Sequence, residues 1–352
     1  MSFSSAFRRL ICAVCFGALF PALALAHGQR QEDFYRLGRA TGYVLAQDYV
    51  VGQIAEKYPE LSTSVAQFND AFNKRFPAVR EKLEQHVMGF GLTREQFQGI
   101  KDNMLAGSRS ELNALVKNRE DAKRLLLGYT MRIYMPDAEE REVVLTLNDV
   151  VFDEQPEREF DVDSVAYSSQ SLPNSKGVDI RLRVPASWEH KPGNGSLILD
   201  SWHKIDGHAR ISLILMRVPV KMKSGQWGDQ ELKRLIADPA ILSELVGGQE
   251  LVEASADLTE YGGRKAIRYT MKEVQTIQGV RLYLSSVKMI TGEGDNVVVA
   301  DFHVVATEQP LAEKMQARYA ELKKRIFDSV QIFPLETGES SESQAVAAPS
   351  KP

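Results

Sequence analysis

The chain has 352 residues, with 43 Lys+Arg against 47 Asp+Glu and a formal charge of −4, so it lacks the basic excess that tracks nucleic acid, and no nucleic-acid partner is expected. Its two cysteines, Cys12 and Cys15, both lie in the first 26 residues, which excludes a disulfide framework, a thiolate metal site and a cysteine nucleophile from everything after them. The length suits two domains of ordinary size whose stability rests on core burial.

Met1 to Ala26 carries Arg8 and Arg9, an apolar run from Leu10 to Leu23 broken by Pro21, and a small-residue exit Ala24-Leu25-Ala26. The pattern is that of a cleavable secretory signal, with cleavage expected after Ala26 by either the general or the twin-arginine route. The run is too short for a spanning helix, so no membrane span is expected after cleavage and the protein is expected in the periplasm or secreted. Loss of Arg8 and Arg9 leaves 41 basic against 47 acidic residues, a charge of about −6.

From Glu32 to Tyr134 the periodicity is helical. Phe34, Leu37, Thr41, Val44, Asp48, Val51, Ala55 and Tyr58 recur at three or four residues, predicting one long helix that stops at Pro59. Gly38, Gly42 and Ala46 form a small-residue stripe that admits a close helix neighbour, either inside the domain or across a homodimer interface. Leu61 to Phe76 continues the helical pattern up to Pro77. Thr93-Arg94-Glu95-Gln96 and Ser108-Arg109-Ser110-Glu111 both read as capping boxes opening new helices. The sum is an α-helical domain of about five helices.

Asp137 to Asp163 holds eleven acidic residues and no glycine, which fits a solvated linker or an edge hairpin, with Val143 to Leu147 able to pair as a strand, better than a calcium loop. Strand patterns follow. Ile211, Leu213 and Leu215 oppose Ile214, Met216 and Val218, predicting a strand covered on both faces. Ile267, Tyr269 and Met271 alternate with Arg268, Thr270 and Lys272, and Val298, Ala300, Phe302, Val304 and Ala306 share one face, with Asp301 and His303 on the other. Tyr261-Gly262-Gly263 and Gly292 to Asn296 read as hairpin turns, so the sheet is expected to be antiparallel. One helix is predicted from Asp238-Pro239 to Gly247-Gly248 and another from Pro310 to Asp328, requiring helices on both sides of the sheet. The segment after Glu336, rich in Ser, Glu, Ala and Pro, is expected to be disordered.

Val184-Pro185-Ala186-Ser187-Trp188 after a strand, and Arg325-Ile326-Phe327-Asp328-Ser329-Val330-Gln331-Ile332-Phe333 at the end of the domain, resemble the PsbP-like family. That family includes an extrinsic subunit of the photosynthetic oxygen-evolving complex, a nuclear-transport factor that binds a small GTPase, and exported bacterial proteins of unassigned role. The resemblance covers about the second half of the chain and does not extend to the helical half. It implies an antiparallel sheet between helices and a function exercised by binding other proteins, and it carries over no site residue.

The expected order is a leader at 1–26, a helical domain at 27–136, an acidic linker or edge hairpin at 137–163, an α/β/α sandwich at 164–334 and a tail at 335–352. Candidate chemistry is sparse. A mature amino-terminal His27 could chelate copper, but it leads into a helix with no second histidine held opposite. Asp200-Ser201-Trp202-His203, with Asp206 and His208, brings together triad residue types without a glycine-flanked elbow, and His203 with His208 lacks metal-ligand spacing; a polar loop between strands is expected there. Trp188 is expected under the terminal helix, on Leu322 or Ile326. No catalytic, cofactor or metal residue is assigned. The reading is a non-catalytic exported protein that binds a protein partner; its rival is a small-ligand binder or hydrolase with a pocket between the domains.

Overall fold

The computed structural model describes residues 28–175, 177–194, 196–206, 209–220, 227–237, 251–277 and 280–335. The leader with His27, the helix expected from Asp238 to Gly248, His208 and residues 336–352 lie outside them. The chain forms two compact units, 1–154 and 155–352.

The first unit is helical: α1 (Gly28–Lys57), a single 3-10 turn (Pro59–Leu61), α2 (Ser62–Arg75), α3 (Val79–Met88), α4 (Arg94–Leu115), α5 (Arg119–Tyr134) and α6 (Ala138–Val151). Tyr43, Val50, Ile54, Phe68, Phe72, Phe76, Leu112, Tyr129 and Leu147 meet in one core. The long α1 packs against α3, α4 and α6, while α2 packs on α5. The small-residue stripe is used inside the unit, since a Cβ added at Gly42 would stand 3.2 Å from Met104 of α4.

The Thr93 box caps α4 as expected, its hydroxyl accepting from the Gln96 amide and the Gln96 side chain accepting from the Thr93 amide. The second box does not start a helix. Ser108 is buried midway along α4, because Leu105, Leu112 and Leu115 keep the helical period running through it. The next start is at Asn118, whose side chain accepts from the Asp121 amide.

The acidic stretch is helical and forms no hairpin. It forms α6 and α7 (Pro156–Val162), and Val143 to Leu147 is helical. Val143, Val144, Leu147, Val150 and Val151 are all buried, so a helical apolar seam runs beneath the acids. Arg132 donates to Glu140 at 2.8 Å, Arg39 pairs with Glu142, and Arg36 reaches Asp149 at 3.5 Å. The division between the two units falls between these helices.

The second unit is built on two antiparallel sheets. A small one has the order β1 (Ser164–Ser168), β2 (Val178–Pro185) and β10 (Gln331–Pro334). The large one runs β3 (Glu189–Pro192), β4 (Ile198–Asp206), β5 (Ala209–Pro219), β9 (Asn296–Ala306), β8 (Val280–Glu293), β7 (Arg264–Ile277) and β6 (Leu251–Tyr261). The strand before Trp188 therefore belongs to a separate sheet. Both glycine turns close hairpins: Gly262 and Gly263 at φ 56° and 78° join β6 to β7, and Gly294 at φ 54° joins β8 to β9.

Helices cover both faces of the large sheet. On one side α9 (Gln309–Arg318) and α10 (Ala320–Asp328) pack over Leu213, Phe302 and Val304. The single helix expected from Pro310 to Asp328 breaks at Tyr319, which is fully buried and leaves the helical region at ψ 8°. Trp188 is buried with its ring beside Phe302 and Tyr319, at 5.9 and 6.4 Å between centroids. On the other side α8 (Asp229–Ala237) places Leu232 and Leu235 with Trp227 over Ile267, Ile290, Val297 and Val299. A Cβ at Gly292 would lie 2.0 Å from the Trp227 indole, so only glycine lets that ring rest on the sheet.

Candidate functional site

Ser, His and charged side chains converge on the sheet face shared with Trp227. Strand alternation puts Ser201 and His203 of β4 on this face, and register then sets His203 against Ser212, Ser212 against His303, and His303 against Ser286. The neighbouring row carries Asp301 against Lys288. The result is a polar belt over four strands, adjoining the apolar rows under α8.

The belt is internally bonded, with His203, Ser212, Ser286, Lys288 and Asp301 buried and Ser201 and His303 half-buried. His203 receives or gives hydrogen bonds at both ring nitrogens, Nε2 to Ser201 Oγ at 3.0 Å and Nδ1 to Ser212 Oγ at 2.9 Å. Ser286 donates to Asp301 at 2.6 Å, and Lys288 donates to its other oxygen at 2.5 Å. Burial alone would raise the Asp301 carboxyl, but Lys288 and the nearby His303 hold it well below the usual carboxylate range. Burial, helped by the charges of Arg210 and Lys191, pushes the His203 imidazole down to about 4.

The Asp200–His203 stretch is a strand interior, which corrects the expectation of a polar loop. Trp202 is only 4% exposed and meets Tyr167 edge to face at 4.9 Å. Asp200 points to the opposite face from Ser201, accepting from Tyr167 Oη at 2.6 Å and pairing with His190 Nε2 at 2.9 Å. The acid therefore does not orient His203; a neutral hydroxyl, Ser212, does. Asp206 ends β4. Among the described residues no group of three or more His, Cys, Asp or Glu is arranged to hold a metal ion.

This geometry supplies little for acyl transfer. A triad histidine needs a carboxylate partner to stabilise its charged form and a base strength near neutrality. His203 has neither, and Ser201 sits in regular strand, its hydroxyl also 3.2 Å from the Lys191 carbonyl. The arrangement pairs buried polar groups across strands, which is what a sheet interior with polar residues requires. Two crevices among the described residues are water-sized: about 10 Å³ beside Phe34, Gly38 and Met104, and about 30 Å³ beside Glu273, Tyr283 and Glu313.

Outside the belt, apolar side chains stand in solvent on α5. Leu127, Met131 and Tyr134 succeed one another at four and three residues on a single face, exposed by 62%, 50% and 59%, and Met135, 67% exposed, follows as the non-helical C-cap. They carry no distinct sequence signal because Leu125, Leu126, Tyr129 and Ile133 interleave with them as core. No described helix is long and apolar enough to cross a membrane.

No protein-family model matches the chain, and no curated protein matches it. Among solved structures it is similar to LpqN of Mycobacterium tuberculosis, described as involved in cell envelope biogenesis, at 16% identity and TM-score 0.29 over 49% of this chain and 94% of that one. It is similar to a cyanobacterial PsbP, CyanoP from Synechocystis, at 13% identity and TM-score 0.27 over 49% and 93%. A protein of Bacteroides thetaiotaomicron matches at 15% identity and TM-score 0.26 over 46% of each chain. Likenesses at this level assign no residue and no activity.

Proposed function

We propose that this chain is an exported envelope protein without a catalytic centre, acting by binding a protein partner. The observation that carries the reading is the exposed stripe Leu127, Met131 and Tyr134 on α5, with Met135 exposed at its C-cap. Large apolar groups gathered on one solvent-facing helix face cost free energy unless something covers them, and unbranched methionines adapt to a partner's surface. The leader pattern of Met1 to Ala26 supports the envelope address. The rival hydrolase reading has one observation in its favour, the 3.0 Å contact of Ser201 with His203. Labelling of Ser201 by a serine-reactive phosphonate would be its sign.

Affinity capture from the native envelope tests the proposal. The parent chain, beginning at His27, is expected to bring down one protein in stoichiometric amount. A Leu127→Glu/Met131→Glu variant is expected to lose it while melting as the parent does, since surface substitutions shift stability by about 0.5 kcal/mol or less. Capture of nothing by the parent, or equal capture by both, contradicts the proposal.

A further inference from the structure

The two edges of the seven-stranded sheet are unlike. β3 has four residues, carries Lys191 and ends on Pro192, which are ordinary ways of blunting an edge. β6 has eleven residues with no proline, lysine or arginine. Its inner side pairs with β7 from Glu253 to Tyr261, and among the described residues no strand lies on its outer side. Glu253, Ala254, Ser255, Asp257, Leu258 and Glu260 are exposed. A strand of that length offers a row of backbone donors and acceptors to an incoming segment.

Its side chains describe the segment that fits. Glu253, Ser255, Asp257 and Thr259 alternate onto one side, and Ala254, Ala256, Leu258 and, at the end of the strand, Glu260 onto the other. Charge alternates from strand to strand: Lys272 of β7 pairs with Glu253 at 3.1 Å, Arg268 with Asp257 at 3.0 Å and Lys265 with Glu260 at 3.0 Å. Opposite charges across neighbouring strands stabilise and like charges destabilise, so the next strand outward is favoured when it is basic. The same rule disfavours a second copy of β6, whose charged residues are all acidic, and the chain's own residues 336–352, which carry Glu336, Glu339 and Glu342.

We propose that the outer edge of β6 is a strand-docking site for an extended segment of a protein partner with basic residues facing Glu253 and Asp257 and small apolar residues on its other side. The proposal rests on the reading of the chain as a partner-binding protein and names the chemistry of one contact.

The probes are two synthetic peptides built around Lys-Val-Thr-Val-Arg and Glu-Val-Thr-Val-Asp, offered to the full chain. The basic peptide is expected to bind at least about tenfold tighter, a difference of about 1.4 kcal/mol, and to slow amide hydrogen exchange along β6. A Glu253→Lys/Asp257→Lys variant, altered only at exposed positions, is expected to reverse the preference. Failure of both peptides to bind, equal binding of the two, a preference unmoved by the variant, or protection away from β6 overturns the proposal. So does concentration-dependent self-association in sedimentation with β6 protected, which gives the edge to a second copy. Repeating the envelope capture with the same variant separates the two readings. Undiminished capture by the variant defeats the β6 site and leaves partner binding intact, whereas no capture by the parent defeats partner binding itself.

Discussion

The two faces of the large sheet solve burial differently. The face beneath α9 and α10 carries the larger apolar cluster, with Trp188, Phe302, Tyr319 and Phe327 together, and its buried polar groups, such as Asp200 bonded to Tyr167 and His190, lie to the side of that cluster. The face shared with Trp227 is apolar only over part of its width, and the remainder is the belt of Ser201, His203, Ser212, His303, Ser286, Asp301 and Lys288. The first face is held by area removed from water; the second depends on every polar group keeping its partner. The difference teaches that side chains resembling a catalytic set can serve as cross-strand pairing, and the two faces should answer mutation by different rules.

The largest expected effects compare truncation with orphaning. Trp188→Ala removes a buried ring and should cost about 3–5 kcal/mol through lost transfer energy and the cavity left behind. Trp202→Ala should cost a similar amount, since that ring is also buried, and denaturant midpoints check both. Lys288→Met leaves the Asp301 carboxylate buried without its cation and should likewise cost about 3–5 kcal/mol, whereas Lys288→Met combined with Asp301→Leu should recover most of the loss. A double variant no better than the single would mean that the belt is held by something other than that pair.

A smaller effect separates the titrating part of the belt from the fixed part. The folded His203 is pushed down to about 4 from its ordinary 6.5, so the unfolded chain binds the extra proton between those values. Its contribution to stability is therefore complete above pH 6.5 and is lost as pH falls toward 4. Stability measured across that window should drop more steeply in the parent than in a His203→Asn variant. Parallel curves would mean that the imidazole is not held neutral by the fold. Asp301, kept well below the usual carboxylate range, should stay charged throughout the window.

Strands and hairpins were legible because period-two alternation and glycine turns are local signals, as in Ile267 to Met271 and at Gly262-Gly263. The helix of Ala138–Val151 was not, because the count of acidic residues masked the seam Val143, Val144, Leu147, Val150 and Val151. Trp202 carries the sequence signature of a loop residue because Asp200, Ser201 and His203 beside it are polar. Their partners Tyr167, His190 and Ser212 lie on other strands and become visible only through register. The belt was half legible: Asp301 and His303 stood out among valines, but Lys288 and Ser286 join them only because β8 and β9 pair antiparallel in one particular register.

Whether the belt is architecture and the chain acts through a partner is decided by one capture experiment with three chains. The parent and Ser201→Ala are expected to retain the same stoichiometric partner, and Leu127→Glu/Met131→Glu to lose it. Loss of the partner in folded Ser201→Ala, with retention in the α5 variant, would contradict the account.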